Sequence, residues 1–146
     1  MPVSGDTAQA GLHHGFKGAQ IACTALVAEA LRLGSPATAF SRPTESNNQD
    51  KVSLGTIAAR DARAVTRLAL DATAIHLAAL CQAADLRGPH LLGAGTRAAY
   101  TLVRKHVGFL DRDRRMDGEL AELATALRLG ALREALSADD AARPGC

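Results

Sequence analysis

Aromatic residues make up only 3% of the 146-residue sequence, and tryptophan is missing altogether. The β-branched and aromatic residues that strands favour are scarce, which argues against a β-sandwich or barrel. An excess of one charge sign is also missing. Seventeen Lys and Arg stand against 15 Asp and Glu, a formal net charge of +2. That leaves no electrostatic footprint for nucleic acid or an anionic membrane surface. Cysteine is sparse and odd in number. Cys23 and Cys81 lie in Ala-rich surroundings and Cys146 is at the extreme C-terminus, which is no disulfide framework. No unbroken run of about 18 apolar residues occurs, so no membrane span is expected. The opening MPVSGDTAQAG has neither a basic n-region nor an apolar h-region. No signal peptide is expected, and the sequence reads as cytoplasmic.

What is present is alanine and leucine, the best helix formers, within a 47% hydrophobic and 22% charged composition. The fold class expected is all-α, and the length suits a single helical domain over residues 1–146. Residues 1–14 read as an irregular lead-in. From about Gly15 to Leu33, Ile21, Ala25, Ala28 and Leu31/Arg32 recur at helical spacing, and Gly34 stands where a C-cap would go. Residues 34–50, GSPATAFSRPTESNNQD, hold two prolines and a Ser/Thr/Asn cluster, and they predict a loop. A loop this long is usually functional or disordered.

The longest predicted helix runs from Lys51 to Arg87, with Val65, Leu68, Ala72, Ile75 and Ala79 as a bundle seam. About 35 residues at 1.5 Å each give about 50 Å, too long for the remaining chain to cover. Such a helix is expected to pack against other subunits. Gly88-Pro89 stops it. Thr96 is the expected N-cap of a helix through about Val107, DRDRR (111–115) is expected as a solvated charged turn, and a last helix spans Asp117 to Leu129. Gly130 is expected to break it before Ala131–Leu136, leaving SADDAARPGC frayed.

The five histidines, His13, His14, His76, His90 and His106, show no metal-ligand spacing, so no metal is expected. No phosphate-binding glycine loop and no nucleophile elbow occurs. The segment TESNNQD (44–50) places Glu45, Asn48 and Gln49 just ahead of the long helix. A carboxylate and two amides near a positive helix end could hold the charged ends of an amino acid. The plain alternative is a capping segment, with Asn47, Asn48 or Asp50 as N-cap.

Three blocks in order, GFKGAQIA (15–22), NNQDKVSLG (47–55) and ALCQAADLRG (79–88), resemble the aromatic amino acid ammonia-lyases and aminomutases. So does TRAAYTLVRKHVGFLDRDRRMDGELAEL (96–123), which resembles the C-terminal part of the bacterial enzymes. The resemblance covers roughly residues 11–136 and is nearest the phenylalanine branch. It implies long antiparallel helices contributing to a multi-subunit bundle. It also implies site roles: Glu45 facing the substrate amine, Asn48 and Gln49 beside electrophile and substrate, and Lys17 near the carboxylate. Where Gln49 stands, histidine ammonia-lyases carry glutamate, so Gln49 implies a phenylalanine- or tyrosine-like substrate.

The family's electrophile, 4-methylideneimidazole-5-one, forms from an internal Ala-Ser-Gly. No Ala-Ser-Gly occurs in these 146 residues; Ser4-Gly5 follows Val3. Tyr100 does not correspond to the family's catalytic tyrosine. The resemblance therefore implies a small subunit of a split lyase or aminomutase, inactive alone, in a hetero-oligomer with a tetramer-like core. A large lyase-like subunit would supply the electrophile. The competing expectation is a non-catalytic helical assembly or regulatory protein.

Overall fold

A computed structural model describes residues 12–141. Cys146, Ser4 and Gly5 lie outside them. Five α-helices and no strand occur among the described residues: α1 Lys17–Leu33, α2 Gly55–Arg87, α3 Ala94–His106, α4 Asp117–Arg128 and α5 Ala131–Ala141. The all-α expectation holds.

α1 lies antiparallel along α2. Near its start, Phe16 and Gln20 share a groove with His76 and Ala79. Further on, the Cys23 thiol points to the Ala72 carbonyl at 3.9 Å. At its end Arg32 and Leu33 meet Leu54, Ile57 and Asp61. The predicted seam of α2 faces this way, but only Leu68 of its five residues is fully buried. The deeper row is Ala74, Ala78, Cys81 and Gln82, on a second face of the same helix. There Ala74, Ala78 and Cys81 pack with Val103, Val107, Leu123 and Ala124 into the core. Alanines at this crossing let helices approach closely, which is the packing use of the alanine excess.

Several boundaries differ from the sequence expectations. α2 begins at Gly55, not Lys51, and neither Asn47, Asn48 nor Asp50 caps it; its N-cap is Leu54, with no side-chain bond. Residues 51–54 are held elsewhere: Val52 N–H donates to the Arg42 carbonyl at 2.7 Å, and the Ser41 hydroxyl to the Val52 carbonyl at 2.8 Å. Thr96 is not an N-cap. Gly93 is, and the Thr96 hydroxyl donates back to the Gly93 carbonyl at 2.9 Å inside the first turn. Gly34 is the C-cap of α1 as expected, its N–H donating to the Ala30 carbonyl at 3.0 Å, with the residue still in the right-handed region. Gly130 does break the chain at φ 92, but α5 then continues to Ala141, so 137–141 are helical rather than frayed.

α2 is long and apolar enough overall to cross a bilayer, although no unbroken apolar run of that length occurs in it. Ala and Leu raise its average hydropathy while polar residues interrupt every run. One such residue, the buried Gln82, bonds Leu110 of the same bundle, and α1, α3 and α4 all pack on the helix. α2 is built as a bundle helix.

Candidate active site

The loop carrying Glu45, Asn48 and Gln49 is closed by its own backbone. Thr44 N–H donates to the Gln49 carbonyl at 3.0 Å, and Gln49 N–H donates to the Thr44 hydroxyl at 2.9 Å. Between these bonds lies a short 3-10 turn, Glu45–Asn47, with Asn48 N–H returning to the Glu45 carbonyl at 3.0 Å. Ser46 and Asn47 are both left-handed, at φ 53 and φ 55. Such a conformation costs about 1–2 kcal/mol per L-residue, less for Asn. Strain of this kind persists only where surrounding bonds hold it, here the Thr44–Gln49 clasp and the Arg42–Val52 rung behind it.

The turn leaves Glu45, Asn48 and Gln49 exposed, and their side chains form no hydrogen bond among the described residues. A carboxylate and two amides are thus carried on a closed backbone turn and left open to solvent. They do not sit on the first turn of α2. The dipole argument from a helix end therefore fails, because five residues, Asp50 to Leu54, separate Gln49 from Gly55.

Lys17 opens α1, where a groove of about 640 Å³ runs past His14, Gln20, His76 and Leu80. The loop is anchored at the other end of the hairpin, where Ser41 and Val52 share a groove with Leu54 and Ala58. About 36 Å of α2 separates Gly55 from Ala79 at 1.5 Å per residue. No hydrogen bond or ion pair joins Lys17 to Glu45 among the described residues. Within one chain the structure brings Glu45, Asn48 and Gln49 together and leaves Lys17 apart from them. No group of three His, Cys, Asp or Glu suited to a metal occurs among the described residues.

The sequence reading missed two polar clusters that hold the scaffold. Gln82 is buried and clamps the chain after α3: its Nε2 donates to the Leu110 carbonyl at 2.8 Å, and its Oε1 accepts from Leu110 N–H at 3.0 Å. Beside it, Asp85 accepts from both the Tyr100 hydroxyl and the Arg104 guanidinium. The Asp85 carboxylate next to the phenol raises the Tyr100 pKa above its usual 10.0. Both Gln82 and Asp85 belong to the block ALCQAADLRG, where helical spacing offers no sequence clue to a partner 15 or more residues away.

DRDRR is not merely a solvated turn. Asp113 accepts N–H bonds from His14 at 2.8 Å and Gly15 at 2.9 Å, fastening the entry of α1. Those two bonds hold its carboxyl below the usual value of 3.8. Arg114 pairs with Glu119, and Arg115 with Asp117 at 2.7 Å, ahead of and within the first turn of α4.

An all-α hairpin with a clasped polar turn between its long helices defines the class of scaffold. A family model described as aromatic amino acid lyase matches residues 5–105. A tyrosine ammonia-lyase of Cupriavidus metallidurans is 43% identical over 135 residues, covering 92% of this chain and 25% of that one. A histidine ammonia-lyase of Alkaliphilus metalliredigens is 43% identical over 110 residues, 75% of this chain and 22% of that one. The solved tyrosine aminomutase from Streptomyces globisporus superposes with a TM-score of 0.82 at 40% identity, over 88% of this chain and 24% of that one. The chain belongs to the aromatic amino acid lyase family, and it spans about a quarter of the length of the curated relatives it matches. Relatives named for tyrosine and for histidine match equally well, so these comparisons do not single out the phenylalanine branch.

Proposed function

We propose that this chain is the small subunit of a split aromatic amino acid ammonia-lyase or aminomutase. It contributes Glu45, Asn48 and Gln49 to a site completed by a second polypeptide. One observation carries the reading: a strained, doubly clasped turn leaves these three side chains exposed, and none of them has a hydrogen-bond partner among the described residues. A turn kept only to connect helices has no need of that strain.

In the completed site Glu45 holds the substrate ammonium and takes its proton as the amine becomes neutral. Asn48 and Gln49 offer amide donors and acceptors that fix the substrate and the polar edge of the electrophile, so that positioning rather than new bonds is their contribution. In this reading the 4-methylideneimidazole-5-one would be formed on an Ala-Ser-Gly of the large subunit; these 146 residues contain none. When bound, it supplies the electron-poor centre that makes ammonia a leaving group. Free amides are suited to neighbour such a group, and the exposed turn leaves space for a second chain to bring it. If Lys17 attends the same substrate as Glu45, it does so from another polypeptide, since α1 carries it to the far end of the hairpin. Gln49, neutral where histidine enzymes carry glutamate, favours a phenylalanine- or tyrosine-like substrate.

Coexpression with a lyase-like chain that contains Ala-Ser-Gly and lacks this segment tests the proposal. Arylacrylate absorbance on adding phenylalanine or tyrosine is the expected result. A folded complex with no turnover of any aromatic amino acid would favour the non-catalytic assembly role.

A further inference from the structure

Four arginines face one groove between α2 and α4. Arg60, Arg63 and Arg67 line one side of α2, and Arg128 closes the groove from the last turn of α4. The groove holds about 540 Å³ and has Ala64 and Leu70 along its floor. All four arginines are exposed, and none pairs with a carboxylate among the described residues. The nearest acids in sequence do not neutralise them: Asp61 lines a different groove with Arg32, and Asp71 is half-buried a turn beyond Arg67. This half of α2 is also thinly covered, with no buried residue before Leu68.

The geometry points to this groove as the docking surface for an acidic amphipathic helix of another protein. The three α2 arginines recur at i, i+3 and i+7, one helical face over about 10 Å. A helix laid in the groove with carboxylates at the same period meets each guanidinium in turn, and its apolar residues meet Ala64 and Leu70. Guanidinium forks suit carboxylates in this paired arrangement. A small phosphate is the poorer fit, because the four charges are spread along a groove and exposed rather than converging on one enclosed point. A second copy related by two-fold symmetry would set arginine against arginine on this face. The inference does not depend on the catalytic reading, since docking requires no turnover.

The test is fluorescence anisotropy with the full chain and a labelled synthetic helix of about 20 residues, long enough to be helical. It carries Glu at i, i+3 and i+7 and Leu between them; a twin carries Gln instead. The Glu peptide should bind and the Gln peptide should bind at least about ten-fold more weakly. The double variant Arg63→Glu/Arg67→Glu should lose binding to the Glu peptide and gain it for a Lys-substituted peptide. Arg63→Gln/Arg67→Gln should show an intermediate loss, and Lys105→Glu, exposed on α3 outside the groove, should show none. Helicity by circular dichroism confirms that each variant is folded. Equal binding of the Glu and Gln peptides, or no effect of charge reversal, would overturn the assignment. So would displacement of the peptide by equimolar tripolyphosphate, which indicates a phosphate site. So would loss of self-association in the charge-reversed variant by light scattering, which indicates a second copy as occupant.

Discussion

At the scale of single residues, the polar groups divide into those that fasten the scaffold and those left free. Gln82 spends both ends of its amide on Leu110. Gln82→Leu orphans a buried N–H and a buried carbonyl, each costing about 1–3 kcal/mol, so a loss on the order of 2–4 kcal/mol is expected in urea unfolding. Asp113 has a depressed pKa because it accepts the His14 and Gly15 amides. Its contribution is therefore present above the ordinary value of 3.8 and is lost as pH falls through the lower folded value. Amide exchange should show it: His14 and Gly15 lose protection in Asp113→Ala at neutral pH, and in the wild type only under strong acid. Tyr100 works in the opposite direction. Its raised pKa means the Asp85 bond is intact below pH 10.0 and is lost as pH rises through the folded value. None of these partnerships was legible in the sequence, because each joins a side chain to a backbone or side-chain group 15 or more residues away. Glu45, Asn48 and Gln49 could be singled out from local spacing and resemblance, and the structure adds that one short turn carries all three. That turn was not legible, since left-handed Ser46 follows from the Thr44–Gln49 clasp rather than from any preference of serine.

At the scale of elements, Ala/Leu periodicity located every helix, while their ends followed tertiary bonds. α2 starts late because Val52 N–H is bonded to the Arg42 carbonyl, which takes it out of the helix. It stops where expected, at Gly88, and the stop is conformational: Gly88 has φ 108, a region side chains avoid. A Cβ there would also lie 2.6 Å from the His90 ring. Gly88→Ala should cost about 1–2 kcal/mol in thermal unfolding, chiefly from backbone strain. Adding His90→Ala should recover little of that loss, because an exposed ring can swing aside whereas φ cannot. The seam was read one face away from the deepest packing. Ala74 and Ala78 carry little hydropathy signal, yet they sit at 0% exposure because small side chains let Val103 and Leu123 close over them.

At the scale of the whole molecule, much apolar surface remains open. No residue of α1 is fully buried, and Ile21 and Leu31 are 63% and 74% exposed. On α2, Leu80 and Leu86 are each 53% exposed. Surface of this extent marks interfaces, so the isolated chain should associate, and light scattering should find no stable monomer. The catalytic account makes its own demand on an assembly, since Glu45 and Lys17 lie at opposite ends of one hairpin. Its most direct test is the rate of arylacrylate formation by the complex with an Ala-Ser-Gly chain, compared between wild type and Glu45→Gln. The substitution keeps shape and hydrogen-bonding capacity but removes the charge. The account predicts no turnover by this chain alone, turnover by the complex, and a fall of roughly 10²–10⁴ in Glu45→Gln with assembly unchanged. Turnover by the isolated chain, or a Glu45→Gln complex as fast as wild type, would contradict it.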